Sequence, residues 1–532
     1  MQPTIDLNPE FKLALDLLEN SSKNVFVTGR AGTGKSTLLE YFRLHTKKKI
    51  VVLAPTGVAA LNVNGQTIHS FFGFKPDINL AKVKKIKPRK GKPNIYKKIE
   101  AIVIDEISMV RADLLDCVDK FLRLNRGNGL PFGGLQMIFI GDLYQLPPVI
   151  TSQEKDIFKG LYKTGYFFSS HVFEQFELKL VELEKIYRQK DQDFIDLLNS
   201  IRNNTVTEAE LEMLNKRLNE NFEPHPNDFF IHLTPTKKLS QEINEKQLSK
   251  LKGKTFTYEA QFKGNFEKNQ LPTDTVLNIK KGAQVMLLNN DSLGRWVNGS
   301  IGRIIKIEKN EFDFDDDDEF EIEDKGNSPD IVWVELSSGD TVDVTPHTWE
   351  LFNYKYDEGK DALDSEVIGT FTQYPIKLAW SVTIHKSQGK TFDRVVIDIG
   401  TGTFAHGQMY VALSRATSLE GTILKKKIQK KHIFMDWKVV DFLTKHKYKL
   451  SEKAMPKDEK VKMIQKAIDE KKNLKIVYLK SSDEKSKRVI RPEFVGQLEY
   501  NGKPFLGMEA FCMERKDRRV FRVDRILEMG ES

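Results

Sequence analysis

An α/β architecture is the prediction for this chain of 532 residues, and three observations carry it. In the first part, short apolar runs with β-branched members (25–27, 50–53, 101–104, 136–140) stand beside stretches of helical spacing, the pattern of a buried parallel sheet covered by helices. The same mixture returns at 194–250 and 376–435, which sets a second α/β region behind the first. Inside that second region, from 255 to 374, and again beyond residue 460, short β-rich runs take over, so a small inserted barrel and a mainly-β tail are expected.

Taken in order, residues 7–19 place Leu13, Leu15, Leu17 and Leu18 at helical spacing. Val25, Phe26 and Val27 then form a strand that runs into Gly29-Arg30-Ala31-Gly32-Thr33-Gly34-Lys35-Ser36, a match to G-x-x-x-x-G-K-[ST] at every fixed position. Thr37, Leu38, Leu39 and Tyr41 continue with helical spacing. Glycines in such a loop let backbone N–H groups close around phosphate, and the helix start adds its positive dipole end. Lys35 supplies a point charge for the outer phosphates and Ser36 a hydroxyl for Mg²⁺. The chain is therefore expected to bind a nucleoside triphosphate.

Residues 50–53 make the next strand, with Thr56 and Gly57 where it gives way to a helix, at the edge where open α/β sheets bind ligands. His69, Ser70, Phe71 and Phe72 then bring a hydrogen-bonding ring and two aromatics together, either as core packing or as a platform for stacking bases. Asp105 and Glu106 end the strand at 101–104, the place for an acid on Mg²⁺ and a neighbouring carboxylate that takes the proton of an attacking water. The strand at 136–140 leads into Gly141-Asp142-Leu143-Tyr144-Gln145-Leu146-Pro147-Pro148, where Gln145 can bond both the γ-phosphate and the water.

Composition narrows the classes further. The chain is 39% apolar, enough for packed cores, and has no apolar run of the roughly 18 residues that a membrane span needs. The first ten residues, MQPTIDLNPE, lack both a secretory core and early arginines. Cys117 and Cys512 have no metal-ligand spacing, and a reducing cytoplasm is expected. The formal charge of +8 is compatible with a polyanion partner. Residues 75–98 are dominated by lysine and arginine and residues 313–324 are strongly acidic; solvated loops are the simple reading of both.

Seven segments carry a resemblance in their order: GRAGTGKS, APTGVAALNVNGQTIHSFF, IDEISMV, PFGGLQMIFIGDLYQLPPV, LEKIYRQ, SVTIHKSQGKTFD and YVALSRA. The chain resembles the Pif family of superfamily 1B DNA helicases, relatives of RecD-type and phage Dda-type enzymes, over residues 7–435, and residues 114–134 resemble the signature that sets that family apart. The resemblance implies two RecA-like motor domains, 1–190 with a wedge insertion near 75–98 and 191–447 with a barrel insertion near 255–374. It implies ATP hydrolysis with Mg²⁺, 5′-to-3′ movement on single-stranded DNA, and separation of forked or structured duplexes.

By position in the motifs, Gly29, Gly32, Thr33, Gly34, Lys35, Ser36, Thr37, Gln388 and Gly389 are expected around the nucleotide, with Ser36 and Asp105 on the metal. Lys35, Glu106, Gln145, Arg188 and Arg415 are expected to act in hydrolysis, the two arginines reaching across the cleft to the transferring phosphoryl group. Thr56, Gly57, His69, Phe72, Thr236, His385 and Ser387 are implied to face DNA, with sugar and phosphate contacts that carry no sequence information. One departure is visible: Phe11 falls near the place of a glutamine that reads the adenine edge, which leaves preference for ATP over GTP open.

Residues 395–399 and 433–435 read as closing strands of the motor, 448–460 as a charged linker, and 461–532 as a module that resembles a WYL domain with Pro504-Phe505-Leu506 in place of the naming tripeptide. Arg491, Arg515 and Arg519, with Arg522, are candidates for a basic groove that binds single-stranded DNA or regulates the motor. A bacterial, nucleoid-associated protein that is monomeric when free is the expectation. The competing reading is an ATP-gated single-strand binder or translocase without strand separation, its tail a ligand sensor.

Overall fold

The computed structural model describes residues 6–86, 94–150, 154–264, 271–309, 329–357, 359–360, 362–403 and 405–532. The acidic run at 313–324 and the middle of the basic segment at 75–98 lie outside the described residues. Two compact units form, one from residues 1–198 and 208–433, the other from 199–207 and 434–532.

The first unit holds two parallel sheets. Six strands run in the order Gln66–Thr67, Ile50–Ala54, Ala101–Ile104, Gln136–Ile140, Asn24–Gly29 and Leu178–Leu183. Their central members are buried throughout, as strands covered on both faces must be. The helices Pro9–Asn20 and Lys35–His45 press Phe11, Leu18, Leu38 and Phe42 onto Val25, Val27, Val103 and Ile138, each such side chain contributing about 1.5–3 kcal/mol of burial. Four strands make the second sheet in the order Ser381–Thr383, Ile231–Thr234, Val395–Ile397 and Thr422–Leu424. The edge strand is thus Thr422–Leu424; residues 433–435, expected as a strand, follow the short turn Lys430–His432 without pairing.

The β-rich insertion extends a few residues past the expected 255–374, because Ile376–Leu378, read as the return to the motor, pairs with Gln284–Leu287 instead. Five antiparallel strands order as Thr341–Val344, Ile331–Leu336, Ile301–Glu308, Gln284–Leu287 and Ile376–Leu378, around a core that includes Ile279, Val285, Trp296, Ile304 and Val334. A second sheet, His347–Asp357 with Ala362–Gln373 and Gln261–Gly264, forms an arm that reaches the six-stranded sheet. There the Gln66 amide donates to Asn353 Oδ1 at 3.0 Å, and the Tyr354 hydroxyl accepts from Val52 N–H at 3.4 Å.

The segment 114–134 lies on the helix Ala112–Arg126 and the turn Pro131–Gly134. Asp119 accepts the Phe132 backbone N–H at 2.6 Å and pairs with Arg123 at 2.8 Å. Phe132 is fully buried at φ 53°, a backbone conformation uncommon for a bulky residue, which these bonds hold in place.

In the second unit an antiparallel sheet orders Asp517–Arg522, Lys503–Cys512, Lys485–Tyr500, Leu474–Leu479 and Ile526–Glu531. The expected linker at 448–460 is helical instead, spanned by the end of Trp437–Ala454 and the start of Lys457–Asp469. Charged residues in and beside it are structural: Lys447 and Asp483 form a buried pair at 3.0 Å, and Lys460 donates to Ser451 Oγ and Ile526 O, both at 2.8 Å. Thr205, from the separate segment 199–207, donates to Glu484 at 2.8 Å.

Candidate functional site

The cleft of the first unit grows out of the loop between Asn24–Gly29 and Lys35–His45. It encloses about 560 Å³ and is lined from the first half by Ala31, Gly32, Gly34, Lys35, Ser36, Thr37, Glu106 and Gln145. The second half contributes Gly389, Thr391 and Arg415. Lys35 Nζ donates to the carbonyls of Gly29 and Arg30 at 2.8 and 2.9 Å. Thr33 is buried and bonds Arg30 O at 2.9 Å, so it shapes the loop rather than facing the cleft. Gly32, at φ 80°, is required twice over: a Cβ there would lie 2.6 Å from Arg188 Cβ.

Burial raises the carboxyls of both Asp105 and Glu106 above the ordinary range, Glu106 further because Asp105 stands beside it, while Lys35 opposes both shifts. Glu106 itself sits at φ 50°, turned off the strand end. The Gln388 amide donates to Glu106 Oε2 at 3.1 Å and to Gln145 Oε1 at 3.3 Å, joining the two motor halves at the expected reaction point. Gln145 also bonds Asp142 at 3.3 Å.

Both arginines reach the same cleft. Arg188 Nη1 donates to Ser414 O at 2.9 Å; Arg415, only 1% exposed, is fixed by Val411 O, Lys390 O and Ser414 Oγ at 2.9, 3.2 and 2.8 Å. Burial pulls the affinity of each guanidinium for its proton down, and in Arg415 the charge of Arg188 adds to this. Two desolvated cations side by side are a receptor for anionic charge. Gly407 lets the halves close: at φ 70°, a Cβ there would stand 2.2 Å from Tyr144 O. Tyr410, on the helix that follows, accepts the Ala31 N–H at 2.9 Å.

At the base side, Phe11, Tyr187 and Asp6 complete the wall. Asn8 donates to the Tyr187 hydroxyl at 3.1 Å, and Asp6 is held by Tyr187 and Lys185 at 3.0 and 2.6 Å. Phe11 is buried and offers no hydrogen bond from its side chain. Tyr187, beside Arg188 in the same motif, was not singled out in the sequence; a tyrosine next to the arginine was the available signal.

Thr56 and Thr236 occupy matching places, each at the carboxyl end of a parallel strand and each the N-cap of the next helix. Their hydroxyls accept from Ala59 and Leu239 N–H, both at 3.3 Å, and both residues are exposed. Gly57 opens the first of these helices. His69 and His385 are half-buried, and burial lowers the His385 imidazole below its usual range. Two expectations are corrected. Phe72 is 3% exposed and packs among Phe71, Phe74, Tyr96 and Phe121, so it belongs to the core and no base can stack on it. Ser387 is fully buried and donates to Ile384 O at 2.8 Å, bracing its loop.

Residues not singled out from sequence lie nearby. Lys377, Lys386 and Lys390 border a small cavity with Asn62 and Trp349. Burial pulls the Lys377 ammonium down to about 7 and that of Lys390 to about 8, with Lys386 and Lys390 adding like charge at Lys377. Lys386 and Lys390 were legible as members of the segment SVTIHKSQGK; Lys377 gave no signal.

In the second unit Arg491 lies over the Phe511 ring at 5.5 Å, Arg519 forks onto Asp517 at 2.9 Å, and Arg515 is exposed in a turn. Strand register puts Arg491, Phe511 and Arg518 on one face and Arg519, opposite Ala510, on the other. The expected groove of Arg491, Arg515 and Arg519 therefore does not form as one surface, because neighbouring residues of a strand alternate faces.

Two RecA-like halves, with a phosphate loop and Arg188 on one and Arg415 on the other, define a nucleotide-driven P-loop motor. The chain belongs to the PIF1-like helicase family. That family's profile matches residues 7–212, the UvrD-like helicase C-terminal domain matches 378–419, and the WYL domain matches 459–530. The chain is similar to the ATP-dependent DNA helicase Pif1 of Bdellovibrio bacteriovorus, 32% identical across 78% of this chain and 87% of that one. It is 31% identical to the ATP-dependent DNA helicase PIF1 of Emericella nidulans across 81% of this chain but only 62%, less than two thirds, of that protein. The solved structure of unliganded Pif1 from Bacteroides sp is 36% identical with a TM-score of 0.72, over 82% of this chain and 96% of that one. Among the described residues no helix is long and apolar enough to cross a membrane.

Proposed function

We propose that the chain is an ATP-dependent DNA helicase that moves 5′-to-3′ on single-stranded DNA and opens forked or structured duplexes. The observation that carries this reading is the segment from Thr383 to Lys390. Its Gln388 bonds Glu106 and Gln145 in the nucleotide cleft, while Lys386 and Lys390 of the same segment border a cavity with Val58 and Leu61 of the helix that Thr56 caps. One loop thus serves two ligands, as a motor requires. The sense of movement rests on the resemblance.

In the cleft the P-loop and Lys35 bind the outer phosphates. Glu106 takes the proton of the water whose oxygen attacks the γ-phosphorus as the bond to the β-phosphate oxygen breaks, giving ADP and phosphate. Gln145 orients that water. Arg188 and Arg415 stabilise the charge that spreads over the equatorial oxygens. Ser36 and Asp105 suit Mg²⁺, whose preference is for a carboxylate, a hydroxyl and phosphate oxygens rather than a cage of protein ligands; among the described residues no cluster of three metal-binding side chains exists. The ion would neutralise charge on the β- and γ-phosphates. ATP closes the cleft by binding both walls, and loss of the γ-phosphate reopens it, a shift of populations driven by differential contacts.

A duplex with a 5′ single-stranded tail tests the reading. Strand separation with ATP is expected; Lys35→Ala and Glu106→Gln should abolish DNA-stimulated hydrolysis while single-strand binding survives. Unwinding from a 3′ tail alone would overturn the polarity, and DNA-stimulated turnover without separation would favour a translocase. For the WYL module we propose an accessory contact with single-stranded DNA through Arg491 and Arg515. Reversing both charges should weaken strand binding, and unchanged affinity would remove that role.

A further inference from the structure

We infer that the second motor half carries an additional phosphate-backbone subsite, built from the lysine-rich loop after its edge strand, which holds the single strand beyond the reach of Thr236. The inference rests on the DNA-binding reading above.

The loop reads Lys425-Lys426-Lys427-Ile428-Gln429-Lys430-Lys431-His432, five lysines in eight residues. It borders a cavity of about 360 Å³ whose walls include Gly400, Lys425, Lys426, Lys427 and Lys431, with Glu220 as the acid facing them. The cavity opens at the carboxyl ends of the adjacent parallel strands Val395–Ile397 and Thr422–Leu424, the edge at which open α/β sheets take ligands.

A lysine run is ordinarily a solvated, mobile face. Here the backbone is fixed. Ile428 is 1% exposed, and Asn215 bonds it in both directions, donating to Ile428 O at 2.9 Å and accepting Ile428 N–H at 2.8 Å. Thr403 ties His432 O at 2.9 Å, and His432 Nδ1 accepts Gln429 N–H at 3.1 Å. Lys425 Nζ donates to Phe222 O at 3.1 Å and Lys426 Nζ to Gly400 O. Among the described residues Lys427 and Lys431 have no acidic partner. Like charges gathered on a pinned loop repel one another, and an anion of repeating phosphates relieves that repulsion.

Position identifies the anion. A Cβ on Gly400 would lie 3.8 Å from Pro235 and 3.7 Å from Leu239, so the cavity wall abuts the turn whose Thr236 caps the next helix. A strand that touches Thr236 continues into the lysines, which bind phosphodiesters without regard to sequence.

The test compares full-length wild type with a Lys426→Ala/Lys427→Ala/Lys431→Ala variant, by fluorescence anisotropy on thymidine oligonucleotides of about 30 and about 8 nucleotides, the first longer than the roughly 4–16 nucleotides of a single-strand site and the second in the lower part of that range. On the long strand the variant should bind about tenfold more weakly, and the slope of log affinity against log salt should fall by about 2, near 0.7 for each phosphate lost. On the short strand, and in basal ATP turnover, it should match wild type. If the long-strand affinity and slope are unchanged while Thr236→Ala weakens both lengths, the subsite is refuted and the DNA-binding reading stands. If Thr236→Ala and His385→Ala also leave binding untouched, the DNA-binding reading fails, and the subsite with it. Inorganic tripolyphosphate, tried in a Lys35→Ala background, separates the sources: binding as tight as the long strand, lost in the triple variant, would make the pocket a receptor for free anions and overturn the proposal.

Discussion

Replacing Gln388 by alanine should move the acid limb of ATP hydrolysis to higher pH. Glu106 must be ionised to accept a proton, and burial and Asp105 already raise its carboxyl, so activity falls away at a higher pH than for an ordinary glutamate. The Gln388 amide donates to Glu106 Oε2 at 3.1 Å, and a donor stabilises the ionised form. A hydrogen bond to a charged group is worth about 1.5–3 kcal/mol, and each pKa unit corresponds to about 1.4 kcal/mol. The 3.1 Å separation lies at the long end of the normal range, which favours the lower figure. Loss of the bond therefore raises the Glu106 pKa by about one unit. The assay is DNA-stimulated phosphate release from pH 5.5 to 9, a range of about three and a half units spanning the raised carboxyl, with Glu106→Gln as the inactive reference. A midpoint shifted upward with a recoverable plateau at high pH is expected. A plateau that falls while the midpoint stays in place would refute the reasoning, because Gln388 would then act without touching Glu106 during turnover.

Asp119→Ala should lower stability by about 2–3 kcal/mol, because the Phe132 N–H and the Arg123 guanidinium lose one shared acceptor; chemical denaturation reads this, and an unchanged midpoint would contradict it. Asp483→Asn keeps the residue's positive φ of 62° but takes the carboxylate charge away from the buried Lys447 ammonium. A cost of about 3 kcal/mol and faster proteolysis within 434–532 are expected, with wild-type resistance the contrary result. GTP should support hydrolysis with kcat/KM within about tenfold of ATP, since the wall of Phe11 and Tyr187 offers stacking and no matched pair of hydrogen bonds to an adenine edge. A preference of several thousandfold would show that another group reads the base.

Fold and cleft were largely legible in the sequence because strand, glycine loop and helix each announce themselves through period and residue type. Lys35, Ser36, Glu106, Gln145, Arg188, Gln388 and Arg415 all border or bond within the cleft region, as expected. What pattern alone missed was decided by packing. Phe72 was open to both core packing and base stacking, and the neighbouring aromatics closed over it. Residues 448–460 had the charge of a linker, yet Lys460 found Ser451 and Ile526 O and became interior. Arg491 and Arg519 seemed one groove until register separated them onto two faces. Lys377 carries no signal in the sequence; only the folded chain brings it to its site.

Thr56 and Thr236 are the same device made twice, each a hydroxyl at a strand end capping a helix. On the proposed reading the two turns grip one strand in the same manner, so they cannot by themselves choose a direction of travel. Handedness of travel must come from timing: which grip loosens first as the nucleotide changes. The clock for one of them is close by in the chain, because Gln388 sits three residues from His385 on a single loop. Exchanging the two threonine turns should therefore leave the sense of travel unaltered, whereas altering that loop should uncouple ticking from stride.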